Sequence, residues 1–362
     1  MSKKTPKKKK SGLLGRIVRR FFLLLFTIVI LLVAGLALIM NLVFNGPSPA
    51  ARDVLTMSLL EPSATKWIPG LFMDEAIVNQ IRNAGDDEQI QEEQNLDDIV
   101  IMDANTLAAS DEWAAYPDGI RIESYSGKTF NAHIMLIQDP SRVYLGLSSY
   151  DGFSTSKPGK RLNVAIEDEG ASAAVNAGAF NDDGTANATV GSIPSGMTIH
   201  DGKVVSNTKN AEFPGGFAGF NYDNKLVVAE TMTAEQAMEQ NIRDGCEFGP
   251  VLIVNGVPNQ AVYSGNSGYN PRTVVGQRAD GVVIFVCADG RQAGSLGATY
   301  KDMIDILISY GAVNACNMDG GSSSVMLYRD YTTGEVSMIN SYSVLQSEPR
   351  RMPNFWMVKP LQ

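Results

Sequence analysis

The chain changes character abruptly twice before it settles into a long mixed pattern. Residues 1–20 are polar, holding nine Lys or Arg (Lys3, Lys4, Lys7, Lys8, Lys9, Lys10, Arg16, Arg19, Arg20) and no acid, and residues 21–44 are apolar apart from Thr27, Gly35 and Asn41. A hydrocarbon core about 30 Å thick takes about 20 helical residues at about 1.5 Å rise, and this run has 24. The pattern predicts one transmembrane helix over residues 21–44. Residues 1–20 then form a basic cytoplasmic tail, because Lys and Arg beside a span resist translocation. Everything that follows is placed outside the cytoplasm, as in a signal anchor crossing the cell membrane once. A cleaved signal peptide is the competing reading, since Ser48-Pro49-Ala50 loosely resembles a cleavage site. The apolar part of a signal peptide usually has only about 7–15 residues, which favours the anchor.

Residues 45–115 mix Pro, small residues and short apolar patches such as Trp67-Ile68 and Leu71-Phe72-Met73, with a short helix expected near 75–83. The stretch 84–98 is acidic and Gln-rich with almost nothing to bury, so 45–115 is expected to be a stalk with an acidic linker. From about Tyr116, Gly and short β-rich runs recur to the end, predicting one domain over 116–362. Strands are expected at 120–123 and 129–137 around the turn Ser126-Gly127-Lys128, and at 143–147, 173–176, 219–222 and 226–229. A helix is expected at 233–242 behind a Thr cap.

The run 282–288 is continuously apolar, as a strand buried on both faces should be. Thr299 and Asp302 make a capping box for a helix that Gly311 stops, and 312–318 is a second apolar strand. This strand–helix–strand unit predicts two parallel strands joined by a right-handed crossover. The fold class is α/β or α+β: a mixed β-sheet flanked by helices in one extracytoplasmic domain, preceded by the transmembrane helix.

Charge and composition then narrow the chemistry. The net charge is −9 although the first 20 residues carry +9, leaving −18 for the rest, and a nucleic-acid partner needs a basic footprint instead. Three cysteines (Cys246, Cys287, Cys316) are too few for a disulfide framework, and buried free thiols fit the apolar runs around Cys287 and Cys316. One bridge stays open in an oxidising exterior. His133 and His200 are the whole histidine complement, too few for a His-cluster metal site. An oxygen-liganded divalent ion stays open, without a loop signature to mark it.

Asp289-Gly290-Arg291 follows the first apolar strand and Asp319-Gly320-Gly321 the second. If those strands are parallel neighbours, both carboxylates leave one sheet edge about 4.8 Å apart, at the end where ligands favour open α/β sheets. Two carboxylates of unequal pKa are what glycoside cleavage requires. Asp-Gly is equally a common turn pair, and either Asp could simply reverse the chain. Asn270-Pro271-Arg272-Thr273 puts a guanidinium near a strand start, suited to a phosphate or carboxylate unless it is only a surface Arg. Asn176, in Asn176-Ala177-Gly178-Ala179-Phe180, can face a ligand from a tight loop or merely serve the turn. Gly320, Gly321 and Ser322 offer backbone N–H groups and a hydroxyl to an anion, without Walker-loop spacing.

These stretches, with Ser195-Gly196-Met197-Thr198-Ile199, Phe248-Gly249-Pro250 and Asn317-Met318 before Asp319, occur in an order that resembles the phosphodiester glycosidase family. That family is related to the "uncovering" N-acetylglucosamine-1-phosphodiester α-N-acetylglucosaminidase, and the resemblance covers roughly residues 119–360. It implies hydrolysis of a sugar-1-phosphodiester, releasing the sugar and leaving a phosphomonoester, with N-acetylglucosamine the first sugar to consider. It also implies that Asn176, Arg272, Asp289, Arg291 and Asp319 line the pocket while Gly178, Gly320 and Gly321 shape its loops. Arg272 would bind the phosphodiester, and Asp289 and Asp319 would divide the acid–base or nucleophile roles. Two departures stand out: Ala177 and Ala179 replace a Gly and a Phe in the first loop, which implies a larger sugar subsite, and Ser322 replaces a third Gly. No organic cofactor is implied. Bacterial relatives are associated with exopolysaccharide, so a cell-surface polysaccharide is the expected substrate. A non-catalytic, membrane-tethered glycopolymer-binding module of the same fold is the alternative function. An ordinary glycosidase or a metallophosphatase fits less well, given the phosphate-suited Arg272 and the scarcity of His.

Overall fold

The computed structural model describes residues 13–62, 64–83, 93–103, 106–107, 110–180, 190–208, 215–343 and 346–361. The apolar run forms helix α1 (Leu13–Asn45), which starts within the basic segment. Its stretch Gly15–Asn45 is long and apolar enough to cross a membrane, and its apolar side chains are mostly exposed. Helix α2 (Pro49–Leu60) follows at once, with Ser48 accepting from the Ala51 N–H as its cap and Pro49 at the first helical position, where no N–H is needed. After α3 (Glu75–Arg82), Phe44 from α1 packs with Met73, Val78 and Ile81, against Leu55, Met57 and Leu59 from α2.

Much of the segment expected to be stalk is attached to the domain. The Gln94 amide donates to the Leu226 carbonyl and accepts from the Val228 N–H. Val100 N–H donates to the Ala279 carbonyl, Ile99 and Trp113 are buried, and Glu112 pairs with Arg278. The acidic stretch 84–92 lies outside the described residues.

The domain is sheet-rich, an α+β arrangement with helices packed on the sheets. Its largest sheet has seven strands in the order Ile120–Ser126, Asn131–Ile137, Val283–Ala288, Arg272–Arg278, Ala312–Met318, Val251–Val254, Val257–Pro258. Two five-stranded sheets complete the core, one around Ile242–Glu247 and one around Ala173–Asn176. The expected hairpin is present in register, Ile120 opposite Ile137. Helix Tyr300–Ser309, opened by the Thr299–Asp302 capping box, lays Met303, Ile304, Ile306 and Leu307 on the outer face of the large sheet. The sheet's other face meets the five-stranded sheets in a core that includes Met135, Phe285, Phe220 and Trp356.

One expectation is corrected. Strands Val283–Ala288 and Ala312–Met318 do run in the same direction, but they are not neighbours. Arg272–Arg278 lies between them, antiparallel to both. The two Asp-bearing ends are therefore about 10 Å apart across two strand spacings, not one. Apolar runs show that a strand is buried and leave its partner unspecified, so Arg272–Arg278 could not be placed from sequence pattern.

Candidate active site

The inserted strand brings its own first residue to the sheet edge. Arg272 pairs with Ala288 and Thr273 with Met318, so Asp289 and Asp319 each begin the turn just beyond these pairs, flanking Arg272. Arg272 is 3% exposed. Its Nε donates to the Ala298 carbonyl (3.1 Å) and its Nη2 to the Gly268 carbonyl (2.9 Å) and to Glu61 Oε1 (2.8 Å). The guanidinium lies 3.9 Å from the Tyr300 ring centre. Burial acts to lower its pKa, but Glu61 and Tyr300 outweigh that and raise it, so the charge is held firmly. Burial in turn pushes the Tyr300 hydroxyl up to about 12.

Arg291 stands beside it. Its Nη2 donates to Asn270 Oδ1 (2.9 Å), while Asn270 Nδ2 donates to Glu61 Oε2 (2.6 Å). Arg291 is held at φ +57°, a left-handed conformation that costs a non-glycine residue about 1–2 kcal/mol and occurs often at functional sites. Burial lowers its pKa, with Glu61 and Asp319 opposing that and Arg272 and Arg350 adding to it. The last loop closes on this pair through its glycines. A Cβ on Gly320 would lie 2.8 Å from the Pro271 carbonyl oxygen, and Gly321, at φ +61°, has space only up to Arg291 Nη2. The Gly321 N–H donates to the Pro271 carbonyl.

Asp319 is half-buried within this charged neighbourhood, its Oδ1 accepting from the Gly320 N–H. Asn176 is fully buried and positions that turn: Nδ2 donates to the Asp319 carbonyl (2.5 Å), and Oδ1 accepts from Thr273 Oγ1 and the Val325 N–H. Gly178 donates its N–H to Asn354 Oδ1 and packs against Cys246. Ser322 accepts at Oγ from Arg350, whose guanidinium lies 4.9 Å from the Phe180 ring centre. Asp289 sits apart from the arginines. Its Oδ1 accepts from the Ser341 N–H, its Oδ2 is 3.7 Å from His133 Nε2, and its carbonyl accepts from Ser295 Oγ. Ala177 and Ala179 are both buried.

The structure thus brings together Arg272, Arg291, Asp319 and the glycine loop, with Asn176 behind them and Asp289 to one side. Sequence reasoning missed Glu61, Asn270's two-sided role, Tyr300, Arg350 and the His133–Asp289 approach. It also missed Glu247, a half-buried carboxyl beside the first loop whose pKa burial raises and the Met197 N–H partly lowers. The three cysteines are buried and unpaired, and burial raises all three thiol pKa values. Among the described residues no three His, Cys, Asp or Glu side chains are grouped to hold a metal ion. The cluster at this sheet edge holds three arginines (Arg272, Arg291, Arg350), the Asn270 amide and two carboxylates (Glu61, Asp319).

A family model described as phosphodiester glycosidase matches residues 169–359. A relative, the SPbeta prophage-derived uncharacterized protein YomE of Bacillus subtilis (strain 168), is 28% identical over 203 residues, which is 54% of this chain and 29% of that protein. The chain therefore spans under a third of that relative's length. Among solved structures, the catalytic domain of zebrafish N-acetylglucosamine-1-phosphodiester α-N-acetylglucosaminidase, auto-inhibited by its pro-peptide, aligns over 66% of this chain and 82% of its own, with a TM-score of 0.52 and 19% identity. That likeness is one of fold.

Proposed function

This chain belongs to the phosphodiester glycosidase family, and from that premise we propose that its domain hydrolyses the glycosidic bond of a sugar-1-phosphodiester. The convergence of Arg272 and Asn270 on the Glu61 carboxylate at the sheet edge, with Arg291 holding Asn270 from behind, supports the reading. The donors that hold Glu61 match the charge and the two-oxygen geometry of a phosphodiester. In the reaction, water oxygen bonds to the anomeric carbon while the bond from that carbon to the phosphate oxygen breaks. The electron pair leaves with the phosphate, and the products are a free sugar and a phosphomonoester.

Arg272 and Arg291 offset the charge that develops on the leaving phosphate, a term often the largest in such catalysis. A phosphate monoester is a good leaving group, so protonating it contributes little. The carboxylates act mainly on the water side. Asp319, half-exposed beside Arg291, suits the role of base or nucleophile, while the buried Asp289 orients its turn and faces His133. Asn176 holds the Asp319 turn in place. No cofactor enters this scheme.

With α1 as an anchor and its basic start retained in the cytoplasm, the domain works outside the cell membrane on a surface glycopolymer or glycoconjugate. Protease added to intact cells then removes the domain and spares residues 1–20, whereas a protected domain refutes that placement. N-acetylglucosamine-1-phosphodiester, named for the zebrafish enzyme, is the first substrate to test. Turnover of a chromogenic sugar-1-phosphodiester by the full chain supports an enzyme. Polymer binding without turnover instead supports the non-catalytic module.

A further inference from the structure

The segment that leaves α1 returns to touch its end. Phe72 stacks on Phe44, the last residue of the apolar run, with ring centres 5.3 Å apart, and Asn45 Nδ2 donates to the Phe72 carbonyl (3.3 Å). The stretch before Phe72 is wound tightly. Thr65 and Lys66 donate backbone N–H groups to the Pro62 carbonyl, Ile68 to Thr65 and Leu71 to Ile68, while Thr65 Oγ1 donates to the Leu59 carbonyl in the last turn of α2 (2.8 Å). A loop so held has a fixed shape, and it turns two large apolar side chains outward. Trp67 and Leu71 are 61% and 66% exposed, although Phe72 and Met73 beside them pack inward.

Scattered exposed apolar residues are ordinary on any protein surface. These two differ in where they stand and in what surrounds them. The run 21–44 is about 36 Å long as a helix, about 6 Å more than a hydrocarbon core, so Phe44 stands at the headgroup layer when α1 spans a bilayer. Leu71 adjoins the residue stacked on Phe44, and Trp67 precedes Leu71 by four residues, about 8 Å of such winding. Residues 62–73 contain one cation, Lys66, and no acid, in a chain that is otherwise acidic beyond its first 20 residues. The Trp67 indole N–H is already used by the Ala64 carbonyl (2.9 Å), so the ring can enter an apolar layer without an unsatisfied donor.

We propose that the 62–73 loop is a second membrane contact, with Trp67 and Leu71 seated at the headgroup layer of the bilayer that α1 crosses and Lys66 beside its phosphates. This rests on the reading of α1 as a membrane anchor. Tryptophan favours that depth because its ring is amphipathic, and a leucine beside it adds apolar area. A single helix lets a domain swivel about its exit, whereas two contacts fix which side faces the lipid. Glu61, bonded to Arg272, immediately precedes this loop, so the orientation passes directly to the sheet edge.

Trp67 is the exposed one of three tryptophans, since Trp113 and Trp356 are 2% and 0% exposed. The test reconstitutes the full chain in vesicles of phosphatidylcholine and phosphatidylglycerol, with and without bromine on the acyl chains. The emission of Trp67 is the difference between the parent and Trp67→Phe, and flotation after an alkaline wash reports insertion of α1 separately. Bromolipid is expected to quench the Trp67 emission at least about twofold, and Leu71→Asp is expected to cut that quenching by about half with an unchanged melt. Inserted chain whose Trp67 emission ignores bromolipid and yields to iodide in the water overturns the loop contact and leaves the anchor standing. Quenching undiminished in Leu71→Asp overturns the shared seat of the two side chains. Chain that does not float with the vesicles overturns both the contact and the anchor, so the two failures are distinct.

Discussion

Replacing Arg272 by lysine keeps the charge and removes the fork. The guanidinium serves two backbone carbonyls, Ala298 and Gly268, besides Glu61, and lies over the Tyr300 ring, 3.9 Å from its centre. An ammonium on a flexible stem can replace one of these contacts, because its donors radiate from a single point. With the side chain 3% exposed, water cannot replace the others. Each of the two lost contacts costs about 1–3 kcal/mol, so Arg272→Lys should lose about 2–6 kcal/mol of stability. Catalysis should suffer separately, since two-point contact with the leaving phosphate goes as well. The expected fall in kcat is about 10²- to 10³-fold, as when one preorganised donor is removed elsewhere. Urea unfolding gives the first number, and steady-state turnover of a sugar-1-phosphodiester, at a temperature where the variant is folded, gives the second. A folded variant with stability and kcat within about threefold of the parent refutes the assignment, because an Arg that merely sits at the surface tolerates lysine.

Asp319→Asn should keep the fold and lower kcat by about 10²-fold or more, the scale of general-base assistance, whereas Asp289→Asn should show up mainly in the melt; near-full activity in both removes carboxylate chemistry from these turns. Ile99→Ala should cost about 2–5 kcal/mol in denaturant unfolding, because this fully buried side chain belongs to the domain, and an unchanged midpoint would restore the stalk reading for residues 93–115. His200, raised in pKa chiefly by its hydrogen bond to Asp244, should add stability that is complete below about pH 6.5, the ordinary histidine value, and is lost as pH rises through the raised folded-state value. Asp244→Asn should abolish that part of the pH dependence, and parallel melting curves for parent and variant across pH 5 to 9 would count against the pairing.

What sequence made legible was local. The Thr299–Asp302 capping box, the apolar runs 282–288 and 312–318 and the hairpin each depend on neighbours in the chain, and each appears, the hairpin with its turn at 127–130 rather than 126–128. The partnering of strands did not follow, because a run buried on both faces is compatible with either neighbour. That ambiguity turned a spacing of about 4.8 Å between the Asp turns into about 10 Å. Arg272, Arg291 and Asp319 were singled out by motif, and the structure sets them around one site. Glu61 carried no motif, although it is the only acid between Asp53 and Asp74, a weak mark in a stretch whose one other charge is Lys66. Arg350 was equally silent, since a basic residue near the C-terminus reads as surface until Phe180 and Ser322 are seen beneath it.

The short tether from α1 also sets a reach. Only residues 46–48 separate Asn45 from α2, and α2 itself rises about 18 Å over its twelve residues before Glu61 touches the pocket. With α1 in a bilayer, the anion site then stands within about 30 Å of the lipid surface, even with the linking residues fully extended. Under the proposed function, so short a leash would confine turnover to substrates next to the membrane, on lipid-linked or membrane-proximal chains.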